Sequence, residues 1–269
     1  MKITAPFTFS QSSLQDYNDC PRRFQLRYID KVQWPAVETA PLLENERRQI
    51  EGQIFHRMVQ QYFIGLPEGK IALLASTVNL QRWWENFLTH GPKQTSGLNF
   101  TELSLGSRIG KHRIIAKYDL VAIKAETTIT IYDWKTYLKR PKRIWMTDRY
   151  QTKVYPSLLH RSKEKFLVSG NTESENIEMI YWYAEFPDKP DKFTHQESQA
   201  IQTWEALEQL IHEIDARQSF PMTENEKLCS FCVYRSYCER GTSAGEMDDI
   251  DIIPIIDEID LEQIQEIEF

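Results

Sequence analysis

His112-Arg113-Ile114-Ile115-Ala116-Lys117-Tyr118-Asp119-Leu120-Val121-Ala122-Ile123, a polar turn at residues 124–127, and then Thr128-Ile129-Thr130-Ile131-Tyr132-Asp133-Trp134-Lys135 read as two strands and their connection. Both runs are rich in β-branched and aromatic residues, have strand length, and are joined tightly enough for a hairpin. Side chains alternate along a strand, so Asp133 and Lys135 point the same way, on the face that carries Ile129 and Ile131. Asp119 is followed by Leu120 and Val121 in a run that is otherwise apolar. Two carboxylates and an ammonium at the end of a buried hairpin are costly unless they pair or hold a metal. The acid-x-Lys pattern alone is weak evidence, since about two such triplets arise by chance in a chain of this composition. Two occur. The other, Glu68-Gly69-Lys70, follows Pro67 in a turn without a strand around it and is read as a decoy.

Outward from this hairpin, 269 residues with 41% apolar content suffice for one substantial core. No apolar run reaches membrane-spanning length and residues 1–6 lack the apolar centre of a signal peptide, so the expectation is a cytoplasmic protein with no membrane partner. Residues 246–269 hold ten acids and no Lys or Arg; without them the formal charge of −7 becomes +3. The expected division is therefore a mildly basic body, residues 1–245, and an acidic tail, residues 246–269, whose acids alternate with isoleucine and leucine. Such a tail could dock over a basic surface of the body or bind a partner.

Upstream, residues 8–14 read as a helix start with serine caps. Leu14, Tyr17, Phe24 and Tyr28 follow as an apolar stripe that Pro21 interrupts. A second helix is expected over residues 44–64, with Gly52 and His56 one turn apart, and a third over residues 73–88 carrying Trp83 and Trp84. Residues 100–105 read as a short strand containing Glu102. Downstream, Lys139, Arg140, Lys142 and Arg143 make a basic loop beside the hairpin end, suited to a polyanion such as DNA. Residues 148–160 form a helix that places Gln151 and Tyr155 on one face. A further strand over residues 177–186 and a helix over residues 196–214 complete the pattern.

Four cysteines occur: Cys20, then Cys229, Cys232 and Cys238. The C-x2-C-x5-C cluster has metal-ligand spacing, and four thiolates complete either a zinc or an iron–sulfur shell. Its ligands would join the N-terminal and C-terminal segments into one subdomain.

In order along the chain, Gly52-x3-His56, Asp119, Asp133-x-Lys135, Gln151-x3-Tyr155 and the frame Cys20…Cys229-x2-Cys232-x5-Cys238 resemble the PD-(D/E)xK nuclease superfamily. Within it they look like the RecB-like branch with an iron–sulfur staple, which includes the AddB nuclease domain and CRISPR-associated RecB-like exonucleases. The resemblance implies an α/β (α+β) fold with a restriction-endonuclease-like core, a central mixed β-sheet flanked by helices and a four-cysteine metal-cluster subdomain. It implies metal-dependent hydrolysis of DNA, as an exonuclease on single strands or ends, in repair, recombination or CRISPR adaptation. His56, Asp119, Asp133 and the Trp134 carbonyl would bind Mg²⁺ or Mn²⁺, with Lys135, Gln151 and Tyr155 completing the catalytic set and Glu102 serving as an acid that supports these ligands or holds a second metal. The four cysteines would hold a [4Fe–4S] cluster, with zinc as the other occupant. No nucleotide-binding phosphate loop is present, so unwinding would fall to a helicase or adaptation partner. The alternative is a catalytically silent DNA-binding or interaction subunit of the same fold.

Overall fold

The computed structural model describes residues 3–33, 40–93, 97–124, 128–163, 176–230 and 232–241. Most of the 124–127 turn and the whole acidic tail lie outside the described residues. The chain runs β1 (Thr8–Ser10), α1 (Gln11–Asp19), α2 (Pro21–Phe24), α3 (Ala40–Phe63), α4 (Glu68–Ile71), α5 (Val78–His90), β2 (Leu98–Ile109) and β3 (His112–Lys124). It continues through β4 (Thr128–Lys135), α6 (Arg143–Asp148), α7 (Tyr150–Ser162), β5 (Asn176–Tyr183), β6 (Asp191–Gln196) and α8 (Glu197–Ala216). The decoy Glu68-Gly69-Lys70 falls in the short helix α4, away from any strand.

The mixed α/β architecture is the expected one. Antiparallel β2 runs along one edge of β3, from Leu98 opposite Ile123 to Ile109 opposite His112. The other edge of β3 is shared: β1 lies parallel against Arg113, Ile114 and Ile115, while β4 lies antiparallel against residues 120–124. Beyond β4 come parallel β5 and antiparallel β6. The parallel β4–β5 pair needs a crossover, which α6 and α7 supply. One core holds α1, α7 and α8 against the sheet through Leu14, Leu158, Trp204 and Ile214. On the opposite face, α3 and α5 pack through Phe55, Met58, Trp83 and Phe87 onto Leu120, Trp134 and Trp182. Residues such as Val121 and Ile131 are therefore covered on one side and Leu120 and Tyr132 on the other, which explains near-continuous apolar runs.

Two local readings change. Residues 8–10 form a strand rather than a helix start, because Phe9 is wholly buried in the first core and pairs with Ile114. The helix begins after it, with the Ser10 hydroxyl accepting from the Ser13 amide at 3.2 Å and the Ser13 hydroxyl accepting from the Ser10 amide at 2.9 Å. Pro21 does break the stripe: α1 ends at Asp19, Cys20 is extended, and Pro21 opens α2, where its missing N–H costs nothing. The strand β2 is twice the expected length, since pairing with β3 carries it past the residues its own pattern marks.

At one point the pleat reverses. Along β3, Ile114, Ala116 and Tyr118 face the first core, but so do Val121 and Ile123, while Leu120 and Ala122 face the second. Along β2, Leu103 and Leu105 pack on the first core, and so does Phe100. Side chains two apart share a face in a regular strand, so both strands flip between the same pair of residues, Glu102 and Asp119. The ladder skips this pair between Thr101 opposite Leu120 and Leu103 opposite Tyr118. Glu102 takes φ +52, a left-handed conformation that costs a non-glycine residue about 1–2 kcal/mol.

Candidate active site

The β3–β4 ladder stops at Leu120 opposite Tyr132, one step before Asp119 would face Asp133. There the strands part. The Asp119 carboxylate replaces the missing backbone partner, its Oδ2 accepting from the Trp134 amide at 2.8 Å. Meanwhile Asp133, Trp134 and Lys135 pair with Tyr181, Trp182 and Tyr183 of β5. The Trp134 ring points into the second core, 5.7 Å from Phe87 and 6.4 Å from Phe63, so Asp133 and Lys135 project to the other face.

His56 reaches this opening from α3. Its Nδ1 lies 3.2 Å from Asp119 Oδ1 and its Nε2 lies 3.0 Å from the Trp134 carbonyl oxygen. Both partners are acceptors, so the ring donates to both only when doubly protonated. Gly52 makes this approach possible: a Cβ there would stand 3.0 Å from Thr136 Oγ1, just past the end of β4. Replacing Gly52 with leucine should overpack this contact and cost about 1–3 kcal/mol. Because His56 is one turn further along, its contacts with Asp119 and the Trp134 carbonyl should loosen as well. Thermal melts check this; a melting midpoint unchanged from wild type would remove the glycine from site geometry.

Asp133, Lys135 and Gln151 close a second group. The Lys135 ammonium is 2.6 Å from Asp133 Oδ1 and donates to Gln151 Oε1 at 3.0 Å, while Gln151 Nε2 donates to Asp133 Oδ2. All three are under a tenth exposed, and the ammonium also lies 5.3 Å from the Tyr181 ring centre. Gln151 stands at the start of α7, which the crossover places over the sheet. Burial pushes the Asp119 carboxyl up, but His56, the Trp134 amide and Lys135 outweigh it and hold it below the ordinary carboxylate range. Glu102 shows the opposite balance: burial and the nearby Asp119 raise it, and Lys117 and His56 offset this only in part. Its Oε2 is 2.6 Å from the Lys117 ammonium.

Each of the three carboxylates thus carries one basic partner: Asp119 has His56, Asp133 has Lys135 and Glu102 has Lys117. Among the described residues, no three His, Cys, Asp or Glu side chains converge into a ready-made metal shell. In kind the donors suit a hard divalent cation: carboxylate and carbonyl oxygens, with one imidazole. Lys117 escaped the sequence reading. The uniform β2–β3 register, which sets it two residue pairs from Glu102 and Asp119, was the signal that could have found it.

The other expected residues divide. Tyr155 is buried with its ring 4.7 Å from that of Tyr118, and its carbonyl accepts from the Tyr118 hydroxyl at 2.9 Å. In the basic loop, Arg140 and Arg143 both contact Asp191, at 2.6 and 3.5 Å, and lie over the rings of Tyr183 and Phe193. They pin the loop to β6 while remaining largely exposed; Lys139 and Lys142 are exposed too. Arg23 and Arg27 near the N-terminus are paired with Asp16.

Cys20, between α1 and α2, meets the C-terminal segment. The Arg22 amide donates to the Pro221 carbonyl at 3.0 Å, the Tyr234 hydroxyl to the Val32 carbonyl at 3.0 Å, and Phe220 packs on Phe24. None of the four cysteines is in a disulfide. Burial raises the thiols of Cys229 and Cys238, and the neighbouring Cys232 and Cys20 raise both further. Cys232 is likewise raised, by burial first and then by Cys20. The thiols thus feel one another, but among the described residues no three of them converge into a metal-holding group.

A profile of the PD-(D/E)XK nuclease superfamily matches residues 8–239. The crystal structure of SSO0001 is similar at 16% identity, covering 88% of this chain and 87% of that one, with a TM-score of 0.40. A candidate exonuclease from Eubacterium rectale is similar at 12% identity, covering 80% and 84%, with a TM-score of 0.43. No curated protein matches. Among the described residues no helix is long and apolar enough to cross a membrane.

Proposed function

Since this chain belongs to the PD-(D/E)XK nuclease superfamily, we propose that it is a metal-dependent deoxyribonuclease of the RecB-like branch, acting as an exonuclease on single-stranded DNA or DNA ends. The observation that carries this reading is the buried Asp133–Lys135–Gln151 group standing beside Asp119 and His56 where β3 and β4 part. A fold that had lost catalysis would gain from replacing such buried charges with apolar residues.

His56, Asp119, Asp133 and the Trp134 carbonyl would hold Mg²⁺ or Mn²⁺. When bound, the cation polarises the scissile phosphate and acidifies an attacking water. The chain supplies the rest. Lys135 orients the water and meets the negative charge that grows on the phosphate. Gln151 fixes the direction of that ammonium by bonding both it and Asp133. Tyr155 seats α7 on β3 through Tyr118, and so sets where Gln151 starts. Lys139 and Lys142, with the outward N–H groups of Arg140 and Arg143, track the phosphate backbone, which makes affinity salt-dependent.

Cys20, Cys229, Cys232 and Cys238 would hold a [4Fe–4S] cluster as a staple between the two chain ends. Thiols suit such a centre in kind, and Arg240, Arg23 and Arg22 near Cys229, Cys232 and Cys238 would balance its negative charge. Zinc is the other occupant this set accepts. The work fits DNA repair, recombination or CRISPR adaptation beside a helicase or adaptation partner that opens the duplex.

End-labelled DNA incubated with Mn²⁺ or Mg²⁺ tests the reading. The wild type should release short products from one end in a cation-dependent way, and Asp119→Asn should lower the rate on the order of 10²-fold or more. Cleavage of closed circular single strands would contradict an exonuclease. Absence of cleavage with either cation would leave the silent DNA-binding module.

A further inference from the structure

The basic loop between β4 and α6 has an aromatic residue near each end. Tyr137 follows Lys135 by two residues, and Trp145 lies on the first turn of α6. Trp83, Trp84, Trp134, Trp182 and Trp204 are all buried; among the described residues Trp145 is the tryptophan that is not, and it packs on neither core. Tryptophan is highly buried on average. A half-buried one beside Ile144, which is 61% exposed, leaves a large apolar surface uncovered. Its immediate neighbour is a cation, the Lys142 ammonium 5.0 Å from the ring centre. Tyr137 is likewise half-buried, with its ring 6.3 Å from that of Tyr183 and 5.9 Å from the Lys135 ammonium. Between the two rings the loop crosses the strand ends in a fixed order. Tyr137 stands by β5, Arg140 by the start of β6 through Asp191 and the Lys189 carbonyl, and Arg143 by Phe193 and the Lys192 carbonyl. The loop thus runs outward from the catalytic end of β4 past two neighbouring strands, on the order of 10 Å across the sheet.

We propose that Tyr137 and Trp145 are base-stacking platforms that select an unpaired strand, Tyr137 for the base beside the reacting phosphate and Trp145 for one further along. Lys139, Arg140, Lys142 and Arg143 hold the phosphates between them. The inference rests on the deoxyribonuclease reading and adds to it the residues that choose the form of the strand. Aromatic rings interleaved with cations match a single strand, whose bases offer open faces and whose phosphates offer charge. A duplex meets the same cations but keeps its base faces stacked on one another, so both rings are left without a partner. Preference for the single strand therefore comes from the rings, and salt dependence from the cations. Because Asp191 and the β6 carbonyls already anchor the loop, little ordering has to occur when DNA arrives.

Anisotropy of fluorescently labelled oligodeoxynucleotides tests this apart from turnover, on the full chain without added divalent cation at about 50 mM salt, where phosphate contacts are strong. The probes are a single strand, an abasic sugar–phosphate chain of the same length, and the duplex. The wild type should bind the intact single strand about 5- to 100-fold tighter than the abasic chain, the range for a stacked base. Tyr137→Leu and Trp145→Leu should each weaken binding of the intact strand several-fold. Both should keep duplex and abasic affinities within about twofold and leave the salt slope unchanged, since neither replacement alters charge. Tyr137→Phe and Trp145→Phe should retain most of the wild-type affinity, because a ring is all that stacking needs. Equal binding of the intact and abasic strands by the wild type overturns the proposal and requires no variant. So do leucine variants that weaken every probe alike, which marks a packing defect, or that bind the intact strand as the wild type does. If the wild type binds none of the probes, the deoxyribonuclease reading falls and this inference with it.

Discussion

Lys135→Ala is expected to reduce DNA cleavage by at least about 10²–10³-fold, the range for removing a single donor aimed at developing charge, while leaving DNA affinity within a few-fold of wild type. The ammonium is buried against Asp133 and Gln151 and lies away from the exposed lysines of the 139–143 loop. In the proposed mechanism it would therefore contribute little to encounter with the phosphate backbone and much to the reacting phosphate. Alanine also leaves Asp133 without its counter-charge, and stranding one partner of a buried pair typically costs about 3–5 kcal/mol. Lys135→Gln separates the effects, since its amide still reaches the carboxylate without supplying charge. Both variants should be slow although only alanine melts early. Cleavage near the wild-type rate in either would remove Lys135 from the mechanism.

The second large effect concerns stability. Cys20→Ser should lower the melting midpoint by about 10–20 °C. Losing a cross-link across a loop of some two hundred residues costs on the order of 5 kcal/mol, and each kcal/mol moves a domain of this size by about 2–4 °C. The same replacement should bleach a brown colour from anaerobically prepared protein and expose residues 220–241 to protease, because the contacts of Arg22 with Pro221 and Phe24 with Phe220 then have no staple behind them. Cys229→Ser should behave alike, since the proposed centre would need all four thiolates. Wild-type protein that carries neither iron nor zinc, with a melt indifferent to Cys20→Ser, would end the staple. Metal content distinguishes iron from zinc directly.

Much of this was legible in the chain because the decisive residues lie in strongly patterned elements. The strands around Asp119 and Asp133 are β-branched and long, and the break at Pro21 follows from ring chemistry that tertiary context does not override. Other features depended on partners distant in sequence. Residues 8–10 look like a helix start until Phe9 finds Ile114, more than a hundred residues away. Strand β6 escaped because its Asp191 reads as a turn residue, yet it is buried to receive Arg140 and the Tyr183 hydroxyl. The loop arginines looked like open phosphate contacts for the same reason: nothing nearby in the chain shows that Asp191 comes back to meet them. The Lys117–Glu102 pair was missed too, since only the register of β2 against β3 brings the two residues near each other.

Trp134 occupies the position that a motif writes as x, yet it joins two regions usually considered separately. Its indole is wedged among the rings of α3 and α5, while its own amide and carbonyl serve Asp119 and His56. The geometry of the proposed site is thus tied to greasy residues on the far side of the sheet. Exchanging one aromatic for another there would shift the proposed site while leaving every polar group untouched.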